Sequence, residues 1–122
     1  MNGYKKLIVW QKSMNLIIEI YRLVKLLPKN ETYALSDQMR RSVISIASNI
    51  AEGKGRNAIG DYIRFLNIAR GSCFELETQI NACILIEYIT ENEATVALNL
   101  VSEISKMLTA MINKLKISTG NI

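Results

Sequence analysis

The sequence predicts an all-α fold: an antiparallel up-down-up-down four-helix bundle that forms one domain over residues 1–122. Apolar residues recur with a helical period in four segments, and no segment shows the sustained period-two alternation of a half-buried strand. Apolar residues make up 49 % of the chain and proline occurs once, a composition typical of a folded domain with a substantial core. Short connections between the helical segments place neighbouring helices antiparallel.

The first two helices are bounded by residues that commonly begin or end helices. Helix one is predicted over residues 9–27, because Pro28 cannot continue a helix and disfavours helical geometry at the residue before it. Helix two is predicted over residues 36–52, with Ser36 as its N-cap. Gly53 fits the left-handed position that ends many helices.

The last two helices carry similar signals. Helix three is predicted over residues 57–88, with Asn57 as its N-cap. Helix four is predicted over residues 91–117, directly after Thr90. Thr90 and Glu93 have the spacing of a capping box, in which each side chain accepts a hydrogen bond from the other residue's backbone N–H.

The polar side of helix two is unusual for an exposed helix face. It carries small hydroxyl and amide side chains, although Ser and Asn are mediocre helix formers. Such an arc indicates contact with another surface, which we assign to a second copy of the chain; an exposed face with chance serines is the alternative. The candidate interface residues are Ser42, Ser45, Ser48, Asn49 and Glu52.

The number of apolar residues also predicts a homo-oligomer. Ile18, Ile68, Ile86 and Met107 fall outside the main apolar arcs of their helices, so a partner surface is needed to bury them. The alternative is that these side chains are simply exposed, since scattered surface apolar residues are normal.

Several kinds of chemistry lack the residues they need. The chain has no His, which removes imidazole bases and ligands, so we expect no enzymatic activity, metal or cofactor. Cys73 and Cys83 fall on the apolar arc of helix three and are expected to be buried free thiols, consistent with a cytoplasmic protein. No uninterrupted apolar run of about eighteen residues predicts a membrane span.

Positive charge makes nucleic acid the first candidate partner. The net charge is +4, and residues 1–60 hold ten Lys or Arg against four Asp or Glu. Such residues bind the phosphates of RNA or DNA without reading sequence. The candidate binding residues are Arg40, Arg41, Lys54, Arg56, Lys12, Arg22 and Lys25.

Two charged pairs are expected to connect helices two and three. Arg41 would face Glu75, or Glu52 would face Arg64, if the helices lie side by side. The alternative is four charges that are solvated independently.

Several strings of residues occur in the order that one known family shows. They are Val9-Trp10-Gln11, Leu27-Pro28 with Glu31 and Tyr33, Gln38-Met39-Arg40-Arg41-Ser42, Ser45-Ile46-Ala47-Ser48-Asn49-Ile50-Ala51-Glu52-Gly53, Arg64-Phe65-Leu66-Asn67-Ile68-Ala69-Arg70-Gly71-Ser72 and Glu75-Leu76-Glu77. In these strings the chain resembles bacterial four-helix bundle proteins encoded within intervening sequences of 23S ribosomal RNA genes. The resemblance covers about residues 7–115, and it departs from the family pattern at Ala47, where proline is frequent.

This resemblance implies a four-helix bundle with no established enzymatic activity. Relatives that include the accessory variability determinant of diversity-generating retroelements form homopentamers, and that determinant binds nucleic acid and a reverse transcriptase. The resemblance therefore implies a pentamer and these two partners. The expected function is nucleic-acid binding by a homo-oligomer; the alternative is a protein-interaction scaffold with no nucleic-acid role.

Overall fold

The computed structural model describes residues 3–118, which form four α-helices and contain no β-strand. The helices are α1 (Ile8–Val24), α2 (Leu35–Lys54), α3 (Ile59–Leu85) and α4 (Glu91–Ser118). Single 3-10 turns, Tyr4–Lys6 and Lys29–Glu31, precede α1 and α2. The all-α, four-helix prediction is confirmed for these residues.

The four helices pack around one hydrophobic core, and each helix lies against two others. Apolar side chains three or four residues apart form one buried stripe on each helix, as the helical period requires. Removal of these side chains from water is the main force that holds the helices together. The largest fully buried residues are Leu16, Ile20, Met39, Ile46, Ile50, Leu66, Leu76, Ile80, Ile104, Leu108 and Ile112.

Helix α1 ends at Val24, earlier than the predicted end at residue 27. The backbone N–H groups of Leu26 and Leu27 donate to the carbonyls of Leu23 and Val24, so the chain tightens into i to i+3 turns before Pro28. Proline disfavours the helical region for the residue before it, which explains why α1 stops short of that residue.

Both predicted ends of α2 are wrong. Ala34, not Ser36, is the N-cap, and Ser36 is buried in the first turn. The helix continues through Gly53 to Lys54, and its C-cap, Gly55, has a φ of −79°.

Gly53 is required by packing between helices. A Cβ atom at Gly53 would lie 2.8 Å from Cβ of Phe65 and 3.0 Å from Cδ1 of Tyr62, both on α3. The absent side chain allows α2 and α3 to approach closely at this point.

Helix α3 is shorter at both ends than predicted, and Ala58 rather than Asn57 is its N-cap. At the other end, the N–H groups of Glu87 and Tyr88 donate to the carbonyls of Ile84 and Cys83, the paired bonds of a Schellman motif. Glu87 occupies the left-handed position of that motif with a φ of 65°, where glycine is usual.

Helix α4 begins with the predicted capping box. Oγ1 of Thr90 accepts from the N–H of Glu93 at 3.1 Å, and Oε1 of Glu93 accepts from the N–H of Thr90 at 2.9 Å. By length and composition alone α4 could cross a membrane, a property that core helices of soluble proteins share. Its core-facing residues are Ala94, Ala97, Val101, Ile104, Leu108 and Ile112.

Two glycine substitutions test the close approach of α2 and α3. Gly53→Ala is expected to destabilise the fold by about 1 kcal/mol, because overpacking costs more than the gain in helix propensity. Gly71→Ala is the matched control, since a Cβ there meets no atom within 4 Å, and it should stabilise by about 0.5–1 kcal/mol. Urea unfolding measures both. A Gly53→Ala protein as stable as the unsubstituted chain would contradict this explanation.

Candidate nucleic-acid interface

The fold divides the predicted basic residues between two ends of the bundle. Residues at the start of α1, the end of α2, the start of α3 and the end of α4 lie together. Tyr4 lines the same surface pocket as Arg56, Phe65 lies against Gly53, and Arg70 donates to Oγ1 of Thr109 at 3.2 Å. We call this half of the molecule, residues 3–16, 45–72 and 104–118, the basic end.

The charge is distributed very unequally between the two halves. The basic end holds ten Lys or Arg against two Asp or Glu. The remaining described residues, 17–44 and 73–103, hold five Lys or Arg against nine Asp or Glu. The net charge is therefore +8 in the basic end and −4 in the other half.

Three cations at the basic end lie over aromatic rings of α3. The guanidinium carbons of Arg56 and Arg64 are 4.9 Å and 4.6 Å from the centroid of the Phe65 ring. Nζ of Lys54 lies 5.9 Å from the centroid of Tyr62. Ring contacts of this kind attract cations while leaving their N–H groups able to bind phosphate oxygens.

The structure divides the predicted set into two groups. Lys12, Lys54 and Arg56 belong to the basic end, and Arg22, Lys25, Arg40 and Arg41 lie in the other half. Carboxylates neutralise some of both groups: Lys12 pairs with Glu103 at 3.2 Å, Arg56 with Glu52 at 3.0 Å and Arg41 with Asp37 at 3.0 Å, and Arg22 pairs with Glu19.

Arg40 has a structural contact in its own chain. Its Nη2 donates to the carbonyl oxygen of Thr32 at 3.2 Å, and the side chain is half-buried. The guanidinium therefore ties α2 to the segment before it.

Arg64 and Phe65 were not among the predicted binding residues. One signal in the sequence could have indicated the charge division: residues 73–103 contain six acidic residues and no basic one. In a four-helix bundle such a segment leaves the opposite end rich in cations.

The predicted interface arc of α2 also divides. Ser42 is buried and donates to Oε1 of Glu75 at 3.1 Å, and the hydroxyls of Ser45 and Ser72 are 2.9 Å apart. Nδ2 of Asn49 donates to Oγ of Ser45 at 3.0 Å. The side chains at these positions are small because α2 packs against α3 of the same chain there.

Ser48 and Glu52 lie on the other side of α2. They line a pocket with Tyr4 and Arg56 at the basic end. A contact of the five-residue arc with a second copy remains a prediction.

The expected ion pairs between α2 and α3 are wrong. Arg41 pairs with Asp37, Glu52 pairs with Arg56, and Arg64 lies 4.0 Å from Asp61, each within its own helix or the adjoining turn. The hydroxyl of Ser42 contacts Glu75 instead.

An apolar groove runs between α1 and α2 on the outside of the bundle. Ile18 is 65 % exposed, and Tyr21, Ile44 and Met14 are also exposed. Ile17 lines the groove beside them. We call these five residues the α1–α2 face, which residues 3–118 leave uncovered.

Comparison with known proteins gives the family. A model of the 23S rRNA-intervening sequence protein family matches residues 5–110. The chain belongs to this family. No curated protein matches the sequence. A crystal structure of a protein of unknown function from the S23 ribosomal protein family of Bacteroides thetaiotaomicron is similar, with 34 % identity and a TM-score of 0.79. The match covers 86 % of this chain and 98 % of that one.

This member of the 23S rRNA-intervening sequence protein family has two buried free thiols, as predicted. Burial, with a smaller effect of Glu77, raises the pKa of Cys73 from 9.0 to about 12. Burial, with a smaller effect of Glu31, raises the pKa of Cys83 from 9.0 to about 11. Within residues 3–118, no cluster of three or more Cys, Asp or Glu residues could hold a metal ion.

The raised thiol pKa values predict unreactive cysteines and a loss of stability at high pH. The unfolded chain releases these protons near pH 9, before the folded chain does, so the thiols' contribution to stability is constant below pH 9 and is lost as pH rises toward 11–12. Ellman's reagent at pH 8 should modify neither thiol in the folded protein and both in urea. Rapid modification of either folded thiol would contradict the burial.

Proposed function

We propose that the protein binds RNA or DNA through the phosphates that contact its basic end. The observation that supports this proposal is the charge division, with ten Lys or Arg against two Asp or Glu in one half of the fold. Lys and Arg that neutralise phosphates release the counterions condensed on the nucleic acid, and this release favours binding. Recognition of this kind is largely independent of sequence.

Phe65 gives the proposed site its centre. Arg56 follows the end of α2, and Arg64 lies near the start of α3. Both guanidiniums lie over the Phe65 ring, so they are held close together at the surface. Two adjacent guanidiniums suit the successive phosphates of a nucleic-acid strand. Nothing in this proposal requires a catalytic group, and we propose a non-enzymatic, cytoplasmic protein.

We also propose that the helices run up-down-up-down and that copies associate into a homo-oligomer, a pentamer by analogy with the relatives named above. Ser42 contacts Glu75, and Ser45 contacts Ser72. The residue numbers decrease along α3 as they increase along α2, which supports an antiparallel arrangement of these two helices. The uncovered α1–α2 face is the surface best suited to a second copy. In a closed ring, the basic ends of all copies would point the same way.

A pair of charge reversals tests the basic end. Lys54→Glu with Arg56→Glu should lower the slope of log K against log salt by about 1.4–1.8, the contribution of two phosphates. Lys29→Glu with Arg41→Glu makes the same change of net charge in the other half and should leave the slope unchanged. Filter binding across a salt series measures both. Equal losses, or no retention of any nucleic acid at low salt, would favour the protein-scaffold alternative.

A single substitution tests the assembly. Ile18→Glu puts a charge at the centre of the α1–α2 face and should reduce the mass measured by light scattering to that of one subunit, since burying an unpaired charge is costly. Val96→Glu is the control, because Val96 is 52 % exposed on α4 and lies outside this face. An unchanged mass for Ile18→Glu would remove the face from the interface.

A further inference from the structure

A pocket at the basic end is lined by both an aromatic ring and an ion pair. It lies between the 3-10 turn that precedes α1 and the end of α2, and it opens to solvent. Its volume is about 550 Å³, which is within the usual range of small-molecule sites and is enough for a nucleobase. The lining residues are Tyr4, Ser48, Ala51, Glu52, Gly55 and Arg56.

The ring of Tyr4 is held in place on the wall of this pocket. Its centroid lies 5.1 Å from that of Trp10, and the two rings make an edge-to-face contact. The turn that carries Tyr4 is held as well, because Nε2 of Gln11 donates to the carbonyl oxygen of Lys5 at 2.9 Å. Tyr4 nevertheless stays only partly buried. A fixed ring that remains accessible is a surface on which a base can stack.

The pocket itself suits an uncharged group, whereas its surroundings suit phosphates. Nη2 of Arg56 lies 3.0 Å from Oε2 of Glu52, so this pair adds no net charge to the pocket. The carboxylate of Glu52 would repel a phosphate placed beside it, but it does not repel a neutral base. Exposed lysines lie next to the pocket, in the turn before α1 and in the last turn of α2: Lys5, Lys6 and Lys54.

We propose that the basic end binds single-stranded nucleic acid in preference to duplex, with one base stacked on Tyr4 and the adjoining phosphates on the neighbouring lysines. In a duplex, neighbouring bases cover each other's faces, so only a strand with unstacked bases offers a face to Tyr4. This inference rests on the nucleic-acid binding proposed above and adds the form of nucleic acid that is bound.

A strand without bases separates stacking from charge. The probes are fluorescently labelled oligo(dT), an abasic strand of equal length, and a duplex of oligo(dT) with oligo(dA). Fluorescence anisotropy should show that oligo(dT) binds at least fivefold more tightly than the abasic strand, which carries the same phosphates, and more tightly than the duplex. If oligo(dT) binds no better than either of the other probes, the inference is overturned and the proposed nucleic-acid binding stands. No binding of any probe at low salt would overturn both.

Substitutions of Tyr4 locate the stacked base. Tyr4→Ala should weaken binding of oligo(dT) at least fivefold and leave the slope of log K against log salt unchanged, because stacking releases no counterions. Tyr4→Phe keeps the ring and should bind as the unsubstituted protein does. Tyr33→Ala is the matched control, since Tyr33 is 96 % exposed in the other half of the bundle. Equal affinities of the Tyr4→Ala and Tyr33→Ala proteins for oligo(dT) would overturn the inference.

Trp10 reports on the pocket in the unsubstituted protein. It is the only tryptophan of the chain, and its ring contacts that of Tyr4. Its fluorescence should therefore decrease when oligo(dT) binds and stay constant when the abasic strand binds. Constant fluorescence in the presence of bound oligo(dT) would contradict stacking on Tyr4.

Light scattering tests whether Tyr4 acts in assembly instead. Tyr4 lies outside the α1–α2 face, so the Tyr4→Ala protein should have the same mass as the unsubstituted protein. A lower mass would show that a second copy of the chain covers Tyr4, and it would overturn the assignment of this pocket to a base.

Discussion

The close packing of α2 against α3 is the constraint on which the other features depend. Gly53 allows the two helices to approach, and Ser45 and Ser72 join hydroxyls farther along the same contact. Because Gly53 carries no side chain, the end of α2 lies close to Tyr62 and Phe65 at the start of α3. That position brings Arg56 to the ring of Phe65, which already carries Arg64. The proposed nucleic-acid site is therefore a consequence of the helix packing.

The sequence correctly predicts features that depend on local periodicity. It does not predict features that depend on contact with a neighbouring helix. Four helices and the capping box of Thr90 and Glu93 are local properties, and both were predicted correctly. Gly53 was predicted to end α2 because a glycine after an amphipathic segment usually does so. Its actual reason, the position of Phe65, is a tertiary contact that no local pattern contains.

The candidate site was predicted only in part, for the same reason. Lys54 and Arg56 were predicted because they are basic and close in sequence. Arg64 joins them because α3 begins beside the end of α2, which requires knowledge of how the helices pack. The serine arc was assigned to a second copy of the chain, but Ser42 and Ser45 contact Glu75 and Ser72 on α3 of the same chain.

The concentration of basic residues in one half of the bundle is energetically unfavourable. Ten cations in one half of the described chain repel one another, and the repulsion would be smaller if the acidic residues of 73–103 were spread along the bundle. A polyanion bound at the basic end would neutralise those cations and relieve the repulsion there. The proposed partner is thus one that would offset a cost which the fold accepts when it collects basic residues in one half.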